Sequence, residues 1–448
     1  MPQRGSTRCK DAVIRDVAVA DGQLYTTRPL TKRKKNVRTK LTQLSTLYMS
    51  PARFAPLSSV DSLTCERRAP RGVLASVPGD SGCGQISHFL YNFVMPQLHV
   101  LERAGWLEAG SAKPELFLDC GGGMRLGTAA AIPPYVSEAL RVLGVSRVTP
   151  ISIAATANLN PGRASCFSEF VAGCSCSPLD QYNGHIARDF APHVRAFRQR
   201  LMVAVLTPPA SLSGRVGGRL PGSVAPPLWP DPPPSPVREK QRAWFWPWLP
   251  GGARRELRIV LVGRKRSRLW LNEREALVAV QRRVPGAQAS LVHFEGMSLR
   301  AQMEVSRRAD VMVGIDGTGL ANANWMRNGS TVIDLIPFGN ARARPRLASN
   351  FHRMWAALGI RVISSHATRN ETVLRPQLHV HRVLPHCREC LLSGRLRGSR
   401  KPSGDDPCEL RPGQLMWCLD MQDTRVDVER VVQLVERARR ERSFRDRF

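Results

Sequence analysis

From Leu257 to Pro337 the chain repeats one pattern: a short apolar run, a longer stretch with apolar residues at helical spacing, then another apolar run. "LRIVLVGR" reads as a strand and "NEREALVAVQRRV" as a helix with Asn272 at its N-cap. "ASLVHFE" reads as a strand and "SLRAQMEVSRRA" as a helix capped by Ser298. "DVMVG" is a third strand, "GLANANWMRNG" a helix ended by Gly329, and "TVIDLIP" a fourth strand. Strands that are apolar throughout are covered on both faces. Strict alternation of strand and helix therefore implies the α/β class, with a parallel sheet between two helical layers.

The 448 residues allow two or three domains. Residues 1–206 mix apolar runs with turns and read as one domain. There "ELFLDCGGG" is a short buried strand ending in a glycine turn, and "YVSEALRVLGV" and "HVRAFRQRLMVAVL" are helices. Residues 207–252 are rich in Pro, Gly and Ser and read as a linker or insertion whose "WFWPW" patch docks on a neighbouring domain. The alternating unit spans 253–375. A cysteine-containing tail, 376–448, ends in an amphipathic helix with apolar positions at Val426, Val428, Val431, Val432, Leu434 and Val435.

The formal charge is +30. A nucleic acid or another acidic partner is one explanation; arginine spread over every solvated face is the other. Arginine recurs along the whole chain, and the few aromatics are not interleaved with it as in single-strand binders. That favours the second explanation, and no nucleic-acid partner is expected. No segment has the eighteen apolar residues of a membrane span, and the N-terminus lacks a secretory apolar core. Taken literally the chain is cytosolic. Eleven cysteines and the acceptors Asn328-Gly-Ser330 and Asn370-Glu-Thr372 point instead to a secretory compartment. An N-terminal anchor outside this sequence would reconcile the two. Cys387 and Cys390 form one short pair, but Cys408 and Cys418 have nine residues between them, so disulfides fit better than a zinc ribbon. Reduced cysteines in a cytosolic chain are the alternative, and the pairing cannot be read from spacing.

The loop Asp316-Gly317-Thr318-Gly319 leaves the third strand and enters a helix. Small residues let a ligand approach the backbone, and the free N–H groups of a helix start attract an anion such as a diphosphate. The spacing is neither the dinucleotide fingerprint nor a P-loop, and a tight turn without a ligand explains it equally well. A second basic segment follows the first strand: "GRKRSRLWLNE", with Arg264, Arg266, Arg268 and Asn272. Arginine clamps phosphate in bidentate fashion. Arg266 reads as a solvated turn residue; Arg264 and Arg268, at the strand's C-terminal edge, read as site residues.

In order along the chain, these segments resemble glycosyltransferase family 61. The family's Arg-x-x-x-Arg…Asn segment reads Arg264…Arg268…Asn272 here, followed by a helix with Gln302, then "DVMVG", "DGTGL", "NANWM" and "VIDLIP". "GQISHFLYNFVMPQL" and "ASCFSEFVAGC" resemble its N-terminal segments. The resemblance implies a GT-B architecture, two Rossmann-like domains facing across a cleft, the first on the acceptor side and the second holding the donor. The terminal helix would cross back to the first domain. It implies an inverting transferase that takes a hexosyl, N-acetylglucosaminyl or pentosyl group from a UDP-sugar to a hydroxyl of a protein or glycan, in the Golgi or endoplasmic reticulum. No cofactor or metal beyond the donor substrate is implied.

Carried onto this chain, Arg268 and Arg264 would neutralise the diphosphate, with Asn272 beside them. Gly317, Thr318, Gly319 and Leu320 would offer backbone N–H groups. Asp334 would accept from the ribose hydroxyls, or else serve as a cap. His88 would be the general base, or else a hydrogen-bonded core histidine, with Asp119 in reserve. One departure stands out: the family's loop histidine is Asp316 here, and a carboxylate repels a diphosphate unless a cation intervenes. A relative that kept the fold but lost activity is therefore the alternative, ahead of a basic nucleic-acid-binding protein.

Overall fold

The computed structural model describes residues 13–20, 23–26, 54–56, 65–76, 86, 89–90, 94–108, 111–119, 134–151, 164–172, 190–206, 256–265, 267–339, 347–374, 387–399, 405–411, 414–415, 418–419 and 422–445. The expected linker at 207–252, with its "WFWPW" patch, lies outside them. The chain divides into two compact units, 1–209 with 298–300, and 210–297 with 301–448.

The first unit holds β1 (Val13–Ala20), β2 (Gln23–Thr26), β3 (Phe54–Pro56), β4 (Cys65–Ser76), β5 (Glu115–Asp119), β6 (Arg147–Ile151) and β7 (Ala164–Ala172) in one sheet, ordered β3-β2-β1-β7-β4-β5-β6. The block β7-β4-β5-β6 is parallel, and β1 joins it antiparallel along β7. Phe117, Phe167 and Phe170 cluster on this block, with the Phe167 ring 5.5 Å from Phe117 and 5.4 Å from Phe170. Gly72 makes room for them, because a Cβ there would lie 2.6 Å from the Phe170 ring. Helices α1 (Met95–Arg103), α2 (Pro134–Leu140) and α3 (Phe190–Leu206) complete the unit. α3 buries Val194, Phe197, Leu201 and Val205, spaced three and four apart along one stripe. The helix expected over "YVSEALRVLGV" tightens after α2 into a 3-10 turn, Arg141–Leu143, and stops at Gly144 (φ +61°).

The second unit contains the expected parallel sheet. It is built from β8 (Leu257–Val262), β9 (Ala287–Val292), β10 (Val311–Ile315), β11 (Thr331–Ile336) and β12 (Arg361–His366), in the order β12-β11-β10-β8-β9. Helices α4 (Glu273–Arg283), α5 (Leu299–Arg308) and α6 (Leu347–Ala357) alternate with the strands. Val262, Gly314, Asp334 and Ser364 lie in one register row.

Two local expectations fail here. The segment after β10 is not an α-helix running to Gly329. It is a 3-10 helix, Thr318–Trp325, closed by Met326 N–H donating to Ala323 O at 2.9 Å. Residues 320–326 are all buried, so both faces of the segment are packed and its tight winding keeps it inside the core. Asn272 occupies the N-cap position of α4, but its side chain makes no cap bond.

Beyond β12, β13 (Thr372–Leu374) pairs antiparallel with β16 (Gln422–Thr424). Between them, α7 (Cys387–Leu392), β14 (Arg397–Gly398) and β15 (Glu409–Leu410) form a small module closed by the disulfides Cys387–Cys418 and Cys390–Cys408. Leu391, Leu396 and Leu410 fill its core, and Phe338, just after β11, packs against it. The last helix, α8 (Val428–Arg445), buries Val431, Val432, Val435 and Ala438 in the same cluster as Ile259, Val313 and Ile333. Its apolar stripe is filled by the second unit's own sheet and by α4.

Candidate active site

In the order β12-β11-β10-β8-β9, the connections from β8 and β10 run to opposite sides of the sheet. The C-terminal ends of those two strands therefore bound the switch-point crevice where open parallel sheets bind ligands. The two segments picked out in the sequence meet there. Arg264 Nη1 donates to the Asp316 carbonyl oxygen at 3.4 Å, and Arg264 Nη2 lies 3.2 Å from Ser267 Oγ. Arg268 Nη1 lies 3.8 Å from Asp316 Oδ2; the two side chains are 12% and 20% exposed.

Gly317 sits between the arginines with φ +146°. A Cβ there would collide with Arg264 Nη1 and lie 3.0 Å from Arg268 Nη2, so only glycine fits. Arg268 itself has φ +52°, the one positive φ of a non-glycine residue among the described residues. Such a conformation in a long side chain is strained, and strain of this kind concentrates at functional sites. Two guanidiniums thus converge on the start of the 3-10 helix, whose first N–H groups have no acceptor within the helix. This is a cationic cradle whose chemistry suits an anion.

The other glycine of the loop serves packing. A Cβ on Gly319 would lie 2.9 Å from Val262 Cγ1. Leu320 is buried and would lie 3.1 Å from a Cβ on Gly314, which fixes how closely the 3-10 helix sits on β8 and β10. Thr318 is its first residue.

Asp334 lies in β11, beside Gly314 of β10. It is 1% exposed, and its Oδ2 meets His352 Nε2 of α6 at 2.9 Å. Its Oδ1 is buried without a partner. Burial and the nearby Asp316 carboxylate push its pKa up to about 6, against the opposing pull of His352 and Arg268. Asp334, Asp316, Arg268 and His352 therefore form one electrostatic cluster.

Asn272 is committed elsewhere. Its amide donates to Val426 O at 2.8 Å, and its carbonyl accepts from Val426 N–H at 3.0 Å. It is buried and ties the start of α4 to the approach to α8. Asp119 is the last residue of β5. His88 and Arg266 lie outside the described residues.

Three features escaped the sequence reading. His352 is 18 residues from Asp334 along the chain, and nothing local marks the pairing. Ser267 was passed over between two arginines. His293 Nε2 meets Glu273 Oε1 at 3.0 Å beside Gly263, where a Cβ would collide with both side chains. Among the described residues no group of three or more His, Cys, Asp or Glu is placed to hold a metal.

A family model described as "Glycosyltransferase 61" matches residues 87–333, more than half of the chain. The match takes in Arg264, Arg268 and the whole 316–320 loop, and it ends one residue before Asp334. A comparison with curated proteins finds no match.

Proposed function

The chain belongs to glycosyltransferase family 61, and from that premise we propose that it is an inverting transferase using a UDP-sugar donor and a hydroxyl of a protein or glycan as acceptor. The observation that carries the donor reading is the enclosure of Gly317 by Arg264 and Arg268 at the switch point. As the glycosidic bond breaks, negative charge grows on the leaving diphosphate, and fixed guanidiniums stabilise it without reorganisation. Gly317, Thr318, Gly319 and Leu320 supply the loop's backbone. The GT-B arrangement, with the first unit on the acceptor side, is part of this proposal.

A secretory lumen is the proposed location. Cys387–Cys418 and Cys390–Cys408 are disulfides, and Asn328 and Asn370, the two sequon asparagines, are exposed. Among the described residues no helix is long and apolar enough to cross a membrane.

The competing reading, an inactive relative, rests on Asp316, whose carboxylate already engages Arg268. Thermal-shift titration with UDP, GDP and NAD separates the two. Stabilisation by UDP, lost in Arg268→Ala, is the expected outcome. A well-folded protein that no nucleotide stabilises would leave the inactive relative as the answer.

A further inference from the structure

Asp334 and His352 divide one task between a buried group and a half-exposed one. The carboxylate is 1% exposed and the imidazole 27%. Of the two, the imidazole is the group open to an approaching ligand. Asp334 is buried in the register row of Val262, Gly314 and Ser364, and among the described residues its one hydrogen-bond partner is His352 Nε2. An ionised Asp334 accepts the Nε2 proton, which fixes the tautomer and leaves Nδ1 as a lone-pair base. Among the described residues the structure gives Nδ1 no partner. Trp355, ring centroid 5.6 Å away and 1% exposed, packs beside the imidazole and steadies its plane. The charged groups that bear on Asp334 are Arg268 and Asp316, both at the donor cradle.

We propose that His352 is the general base of the transfer reaction and that Asp334 is the positioning residue that holds its tautomer and orientation. The proposal rests on the transferase reading above and deepens it. In the step, the acceptor hydroxyl gives its proton to His352 Nδ1 while its oxygen bonds to the anomeric carbon. The bond from that carbon to the diphosphate breaks, and its electron pair leaves on the β-phosphate oxygen, where Arg268 meets the charge. His352 then releases the proton to solvent. Asp334 stays ionised throughout.

Two measurements on the full-length chain test this. The first is long-range ¹H–¹⁵N NMR of histidine-labelled protein at pH 8, with the His352 signals identified by their loss in His352→Gln. The Nε2–H tautomer is expected in the wild type and a mixture of tautomers in Asp334→Asn. A wild-type mixture would overturn the positioning role. The second is UDP release from UDP-N-acetylglucosamine and UDP-xylose, assayed with glycan and glycopeptide acceptors. His352→Gln is expected to lower kcat by about 10²- to 10⁴-fold. Donor KM and the UDP thermal shift should stay within about twofold, and the acid limb of the pH–rate profile should vanish.

A raised donor KM with unchanged kcat would make His352 a donor contact and overturn the base role. So would an acid limb that persists in His352→Gln and disappears in His88→Gln. A wild-type chain that neither binds UDP nor releases it from UDP-sugars overturns the transferase reading, and this proposal with it. An active wild type with an unaltered His352→Gln overturns this proposal alone.

Discussion

Asp316 Oδ2 stands 3.8 Å from Arg268 Nη1, so the carboxylate that departs from the family pattern is neutralised by the residue that the departure threatened to oppose. A diphosphate entering the cradle competes with Asp316 for that guanidinium. Asp316→Asn removes the competitor and keeps the shape. UDP should bind about tenfold more tightly, roughly 1.4 kcal/mol. Isothermal titration at low and moderate salt measures it, and weaker binding to the variant would show that Asp316 helps to seat the nucleotide.

Arg268 pays for its position with a left-handed backbone, φ +52°. Glycine adopts that conformation without strain and alanine does not. Arg268→Gly should therefore unfold at a higher temperature than Arg268→Ala, by about 1 kcal/mol or a few degrees. Neither variant should be stabilised by UDP. Equal melting temperatures would mean that the strained conformation relaxes once the guanidinium is gone.

The raised pKa of Asp334 has a definite sign. An unfolded aspartate titrates at 3.8 and the folded one at about 6, chiefly through burial. The folded state thus holds the proton longer. Its advantage is present below the unfolded value and is lost as pH rises through about 6. At pH 7.5 the ionised carboxylate costs on the order of 3 kcal/mol of stability. Asp334→Asn should therefore melt several degrees above the wild type at pH 7.5, with the gap closing toward pH 4. Thermal melts across that range check this, and a less stable variant at pH 7.5 would show that the His352 contact outweighs the burial.

Asn272→Ala leaves a buried Val426 N–H and C=O without partners. The loss should be about 2–3 kcal/mol of stability with UDP affinity within twofold. A tenfold loss of UDP affinity at unchanged stability would restore the donor-binding role that the resemblance gave this residue.

What the sequence revealed and what it hid follow from the range of the interactions. β8, β10 and β11 were legible because each is mostly apolar and has a glycine or proline in or just after it: Gly263 after β8, Gly314 within β10 and Pro337 after β11. β1 and β4 were not, because "VIRDVAVA" and "CERRAPRGVLAS" carry charges that interrupt any run. The cradle was legible because Arg264, Arg268 and Gly317 all follow strand ends, and a parallel sheet brings such ends to one edge. Asn272 was misread because a capping rule looks three residues ahead, whereas its partner is Val426, 154 residues away. His352 was missed because it occupies one position of an amphipathic helix, and its meaning comes only from the strand beneath it.

The disulfides of the small module are nested: Cys390–Cys408 lies wholly inside the span closed by Cys387–Cys418. Nested bridges can close in either order without threading, so the module needs no particular sequence of oxidation to mature. It is also synthesised after every strand of the second sheet. A chain made in a reducing host can therefore complete that sheet and still lack the brace against Phe338, the residue two beyond β11. Such a preparation would look folded by its helix and strand content while the exit of the strand that carries Asp334 stayed unsupported. Free-thiol counting, and not a spectrum of secondary structure, is the criterion of a finished molecule.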